Sequence, residues 1–426
     1  MILRDSMFKN YETQGSLLTS LRLFVLLLFL TAVSSCGPKH TEKFVPVSEW
    51  ISTWATAQQL VEPHNLPPAP GLDGNTLRQV VQVTIGGKNL RVRFSNEYGA
   101  SPVTIKSARI AVSTGKGIID KSTEHTLRFD NRVDTIIEPG TTVISDPVNF
   151  ILNPRSRIAI TIHFGETSPD VTGHPGSRTT SFLGRGNLIE SADLTDTIQA
   201  DHWYIIDSID VEPDESSGAV IVLGDSITDG RGSGINMQNR WPDMLYRRLM
   251  ENSTTAGTAV LNMGLGGNCV LRECLGPAAL KRFSTDVLGH SRARFLIILE
   301  GINDIGQMKN REEADRVIEG LIDAYERMIT LAHEKGIIVY GATLMPFGGS
   351  FYDSEWSEHA RQAVNAWIRN SGRFDAVIDM ARAVADPANP RQMLPEYDTG
   401  DHLHPNETGH RAMAEAVDLD LFMPLK

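Results

Sequence analysis

Val220-Ile221-Val222-Leu223-Gly224-Asp225-Ser226-Ile227-Thr228-Asp229-Gly230 is the stretch that decides the fold. An apolar run ends abruptly in a Gly-Asp-Ser turn, and further glycines follow at Gly232 and Gly234. A buried parallel strand delivers a serine in this way to the carboxyl edge of an open sheet, where α/β proteins place their ligands.

Downstream, the same pattern repeats. Apolar strand candidates at 219–223, 259–262, 295–299, 337–341 and 376–378 alternate with helical patterns. The clearest helix carries Ala314, Val317, Ile318, Leu321, Ile322, Tyr325, Met328, Ile329 and Ala332 on one stripe. Five alternations of strand and helix predict a doubly wound parallel sheet covered on both faces.

Upstream the period is two. Val81, Val83 and Ile85, then Leu90, Val92 and Phe94, alternate with polar residues on either side of Gly86-Gly87-Lys88-Asn89, which reads as a hairpin with one buried face. Val103 and Ile105 continue the pattern, as do Ile158, Ile160, Ile162 and Phe164. Short strands separated by Gly, Pro and Asn turns predict an all-β sandwich or jelly-roll-like domain. The polar segment 212–218 is the linker. We therefore expect a β domain over 48–211 and a catalytic domain over 219–426.

Four points of the second half converge on one sheet edge. Ser226 follows the first strand, Asn262-Met263-Gly264-Leu265-Gly266-Gly267-Asn268 the second, and Glu300-Gly301-Ile302-Asn303-Asp304 the third. Asp401-His402-Leu403-His404-Pro405 precedes the last helix. A serine hydroxyl is a poor nucleophile until an imidazole takes its proton, and the imidazole needs a carboxylate to fix its tautomer. His404 and Asp401 supply both from one turn. Asp398 and Asp386 are rival carboxylates, less well spaced. The N–H groups of Ser226 and Gly267 and the amide of Asn303 suit a developing oxyanion. Asp225 and Asp304 read as turn-holding residues. His402, His404 and Asp401 lack further ligands that would complete a metal set, so no metal or other cofactor is expected. Trp241 and Trp356 are more often packing than a sugar platform.

Gly224-Asp225-Ser226-Ile227, the glycine loop, Gly301-Ile302-Asn303-Asp304 and the Asp401–Pro405 segment resemble, in order, the four blocks of the SGNH (GDSL) hydrolase superfamily, with Ile227 where the family name has Leu. The resemblance covers 219 to the C-terminus and implies a flavodoxin-like fold. It implies Ser226 as nucleophile, His404 as base, Asp401 as its orienter, and Ser226, Gly267 and Asn303 as the oxyanion hole. Of these transfers, Gly267 competes with Gly264 and Gly266 in the same loop. With a β half in front, and with Leu299-Glu300-Gly301-Ile302-Asn303-Asp304-Ile305-Gly306, the chain resembles secreted bacterial members thought to act on acetylated plant polysaccharides.

The ends and the composition bound the rest. The 426 residues exceed one ordinary domain, and 52 acidic against 40 basic residues give a net charge of −12, which argues against a nucleic-acid surface. Arg22, the apolar run 23–30 and the small residues before Cys36 form an export signal over 1–36. Val33-Ser34-Ser35-Cys36 resembles a lipobox, so Cys36 is the expected lipidation site and 37–47 a tether. The expected location is the bacterial envelope, lipid-anchored to the membrane. Cys269 and Cys274 either close a disulfide or remain free thiols. The expected activity is hydrolysis of O-acyl, mainly acetyl, esters on a carbohydrate. Acyl transfer by the same triad, or glycan binding on a degenerate scaffold, are the alternatives.

Overall fold

The computed structural model describes residues 50–213 and 218–423. The signal, the tether and Cys36 lie outside these residues. Eight main strands build the first half: β1 (Ile51–Ala55), β2 (Thr76–Gln82), β3 (Gly87–Ser95), β4 (Val103–Gly115), β5 (Val148–Leu152), β6 (Arg157–Phe164), β7 (Ser181–Gly184) and β8 (Ile206–Glu212). They lie in two antiparallel sheets, one running β1-β8-β3-β5 and the other β7-β2-β6-β4. Among the described residues this half contains no α-helix. It is the all-β domain that the period-two pattern predicts.

The hairpin expected across Gly86-Gly87-Lys88-Asn89 does not form. β2 pairs with β6 and β7, whereas β3 pairs with β5 and β8 in the other sheet. The segment 83–86 carries the chain from sheet to sheet, with Val83 and Ile85 buried and Thr84 N–H donating to the Thr53 carbonyl at 2.8 Å. The two glycines serve close approach rather than a turn: a Cβ on Gly86 would overlap the Leu152 carbonyl, and one on Gly87 the Glu212 carbonyl. Alternation reveals which face is buried, but partner choice is a long-range matter.

In the second half β9 (Gly218–Gly224) leads into the short helix α1 (Ser226–Asp229). β10 (Thr258–Gly264), β11 (Ala293–Leu299), the short helix α2 (Ile302–Ile305), β12 (Ile338–Ala342) and β13 (Ala376–Ile378) follow. The five strands are parallel in the order β10-β9-β11-β12-β13. All five coincide with the apolar segments read from the sequence. Every residue of β9 is buried, as a strand covered on both faces requires. The helix Arg311–Glu334 carries the predicted stripe, with Asn310 capping it by accepting from Glu313 N–H at 2.9 Å. Chain order reverses between β9 and β11, so Ser226 leaves the sheet at the topological switch point.

The two halves share one continuous apolar core, and the described residues form one compact unit. Thr56 bridges to Asn262 beyond the edge of β1, and Tyr246 Oη donates to the Thr84 carbonyl at 2.6 Å. Ser52 Oγ lies 2.7 Å from Asp210 and 3.1 Å from His290 Nδ1. Among the described residues no helix is long and apolar enough to cross a membrane.

A methyl group at the sheet-to-sheet crossing has no room. Gly87→Ala is expected to destabilise the protein by about 1–3 kcal/mol, read as a lower urea midpoint with unchanged slope. An unaltered midpoint would show that the crossing yields.

Candidate active site

The turn after β9 is built by Asp225, whose side chain accepts from Ile227 N–H at 2.9 Å and caps α1. The helix ends after one turn at Gly230, φ 107°, with the Gly230 and Arg231 N–H groups both donating to the Ser226 carbonyl. This stops the chain sharply and leaves the Ser226 hydroxyl at the strand tip. Gly264 makes the approach possible, because a Cβ there would overlap the backbone of Thr228 and Asp229.

Asp401, His404 and Ser226 are joined directly. Ser226 Oγ lies 2.8 Å from His404 Nε2, and His404 Nδ1 lies 2.7 Å from Asp401 Oδ2. The other Asp401 oxygen accepts from Leu403 and His404 N–H groups at 3.0 and 2.8 Å, a side-chain turn that fixes acid and base in one segment. Asp398, the rival carboxylate, holds the half-exposed His402 instead, at 2.6 Å. Partial burial acts to raise the Asp401 pKa. The backbone and ring hydrogen bonds from His404 and the Leu403 amide outweigh it and hold the carboxyl well below its usual range. Burial pushes the His404 imidazole down, the Asp401 carboxylate pulls it up, and the Arg231 and Arg178 guanidiniums push it down again; the net displacement is downward.

The oxyanion candidates leave the sheet side by side, since Gly224 pairs with both Gly264 and Leu299. Asn303 is buried; its Nδ2 donates to the Asn268 carbonyl at 2.7 Å and its Oδ1 accepts from Tyr352 Oη at 2.9 Å. One of its two amide hydrogens therefore remains for a substrate. Among the described residues the Ser226, Gly266 and Gly267 N–H groups have no acceptor, whereas Gly264 N–H is taken by Asn262 Oδ1 at 2.9 Å. That removes Gly264 from the three loop glycines. Gly267 has φ +64°, a left-handed conformation suited to glycine. Cys269 and Cys274 are joined as a disulfide just beyond it. Asp304 accepts from Val270 and Leu271 N–H at 2.7 and 3.1 Å, the turn-holding part read for it. Trp241 is fully buried and Trp356 is packed against the core.

Several contributors carried no local signal. Arg282, in the helix Ala279–Asp286, bonds the Gly224 and Met263 carbonyls and the Asn268 side chain. Burial raises the Asp225 pKa to about 7 and lifts that of Glu300 well above the ordinary carboxyl value. From the β half, His174 Nε2 donates to Asp229 Oδ1 at 2.9 Å and its Nδ1 lies 2.9 Å from the Ala57 carbonyl, so a residue of the far domain grips the helix that carries Ser226. A hollow of about 580 Å³ beside Gly86 and Pro154, and one of about 550 Å³ beside Phe182 and Met237, contain none of the triad.

Residues 222–412 match the model of the GDSL-like lipase/acylhydrolase family. No curated protein matches the chain. Among solved structures it is similar to a protein assigned to the lipolytic G-D-S-L family from Desulfitobacterium hafniense, at 21% identity and TM-score 0.37, covering 47% of this chain and 97% of that one. A GDSL-like lipase from Bacteroides thetaiotaomicron is 20% identical, TM-score 0.34, over 47% and 85% of the two chains. An acetylxylan esterase from Geobacillus stearothermophilus is 18% identical, TM-score 0.36, over 47% and 92%.

His404 should titrate below the ordinary value of about 6.5 when its ring resonances are followed by NMR. Asp401→Asn, which removes the carboxylate that raises it, should move the midpoint lower still; a midpoint at or above the ordinary value contradicts this balance. His174→Ala leaves the buried Asp229 oxygen without its partner. The expected loss is about 1–3 kcal/mol of stability, measured by denaturant unfolding, together with a lower turnover number.

Proposed function

We propose that this chain, which carries a GDSL-like lipase/acylhydrolase domain over residues 222–412, removes O-acyl groups, acetyl foremost, from a carbohydrate through an acyl-Ser226 intermediate. The coarse activity, ester hydrolysis, goes with the family. The observation that carries the acyl-Ser226 intermediate is the unbroken relay from Ser226 Oγ to His404 to Asp401, at 2.8 and 2.7 Å, and the carbohydrate acetyl ester is supported by the sequence resemblance.

In this reading His404 Nε2 takes the Ser226 proton as Oγ bonds to the ester carbonyl carbon. Asp401 stabilises the imidazolium that forms, and its depressed pKa keeps it ionised throughout. The negative oxygen meets the N–H groups of Ser226 and Gly267 and the free Asn303 amide hydrogen. Collapse expels the sugar alkoxide, which takes the proton from His404. Water then attacks acyl-Ser226 with His404 again as base, and the carboxylic acid leaves. Export and lipid attachment at Cys36 belong to the same proposal, supported by the signal pattern of 1–36, as does the division of the chain at 211 and 219.

Acetate release from acetylated xylan and from 4-nitrophenyl acetate tests this. Ser226→Ala and His404→Ala should abolish it in folded protein. Asn303→Ala should lower the turnover number by about 100- to 1,000-fold. Unchanged turnover in Ser226→Ala would sink the proposal.

A further inference from the structure

Two arginines, Arg178 and Arg231, come from segments that touch the one-turn helix of Ser226. Arg178 belongs to the β half. It follows Gly176, where a Cβ would overlap the Asp229 carboxylate, and Ser177, whose carbonyl accepts from the buried Arg240. Its backbone has φ 51°, a left-handed conformation unusual for a residue with a side chain. Asn236, from the loop after α1, holds it there. The Asn236 N–H donates to the Arg178 carbonyl at 2.8 Å, and the Asn236 side chain bonds Thr180 N–H and Oγ1 at 2.9 and 2.8 Å. Contacts from both halves hold this strained backbone in place. The Arg178 Nε is buried with no acceptor.

Arg231 comes from the other direction. It directly follows the one-turn helix of Ser226; its N–H donates to the Ser226 carbonyl and its carbonyl accepts from the buried His410 at 3.1 Å. Its side chain is exposed. Among the described residues neither arginine has a salt bridge or a side-chain hydrogen bond. Both lie close enough to His404 to disfavour its protonated form.

That placement opposes the chemistry unless something neutralises it. The base must become an imidazolium in the transition state, and two nearby cations without ion-pair partners make that step harder. An anionic group on the substrate removes the opposition as it binds, and the planar fork of a guanidinium is matched to a carboxylate.

Resting on the carbohydrate-esterase reading, we propose that Arg178 and Arg231 form an anion subsite, so that the preferred substrate is an O-acetylated glycan carrying a uronic-acid carboxylate near the ester. Arg178 gives the β domain a share in substrate choice.

The test is a matched pair of substrates: an O-acetylated uronic-acid oligosaccharide and the same oligosaccharide with its carboxylates methyl-esterified. Acetate release by the whole protein is followed at low and raised salt, with 4-nitrophenyl acetate as a control. The free acid should show a kcat/KM about ten- to a hundredfold higher, and the ratio should fall as salt rises. Arg178→Gln and Arg231→Gln should bring the ratio towards one, while Arg178→Lys retains part of it. Because each variant is judged by a ratio, a general loss of folded protein cancels. Equal or better turnover of the methyl ester overturns the subsite, as does a preference that survives both substitutions. Cleavage of 4-nitrophenyl acetate with neither glycan accepted also overturns it while leaving the esterase standing. Failure on every ester strikes the esterase reading itself.

Discussion

The guanidinium of Arg282 ties together the carboxyl ends of the first two parallel strands. It donates to the Gly224 carbonyl at 3.0 Å, the Met263 carbonyl at 2.9 Å and the Asn268 side chain at 2.9 Å, with Asp286 at 2.8 Å as its counter-ion. Where strands end, their last carbonyls lose ladder partners, and burying them unpaired is costly. A fork of five donors can serve several diverging acceptors at once; a lysine could not. The Ser226 turn and the glycine loop are thereby set relative to one another. Burial raises the pKa values of Asp225 and Glu300, and the Arg282 charge opposes that rise by favouring their ionised forms.

From that hub the loops are braced one upon another. Asp304 holds the amides of Val270 and Leu271, Asn303 holds the Asn268 carbonyl, and Tyr352 fixes the other end of the Asn303 amide. The Cys269–Cys274 disulfide closes the same loop. Donors that already point into place cost no reorganisation when charge develops. The triad segment is braced independently: Asn406 caps the helix Glu407–Glu415 and also bonds the Glu396 and Asp398 carbonyls.

The β domain is part of this arrangement. His174 grips Asp229, Ser177 anchors Arg240, and Tyr246 reaches back to Thr84. These are buried polar contacts rather than a loose docking of two bodies. Such contacts lose their worth if either side shifts by an ångström, so the two domains hold each other in register.

Much of this was legible in the chain. Period and composition carried the five parallel strands, the all-β first half, and the turn that exposes Ser226, because burial on one or two faces imprints a local pattern. The offset from Asp401 to His404 was equally readable, since one turn brings them together. The sheet partners of β2 and β3 were not. Neither were the contacts of Arg282 and His174 around the site, nor the exclusion of Gly264 by Asn262. Each of those depends on residues scores of positions apart meeting in space, and an isolated arginine or histidine looks the same in sequence wherever it lands. The sequence by itself determined which candidate catalytic residues the chain carries and in what order. The tertiary structure alone decided which buried donors and charges surround it, because hydrogen bonding and charge act through distance in space rather than along the chain.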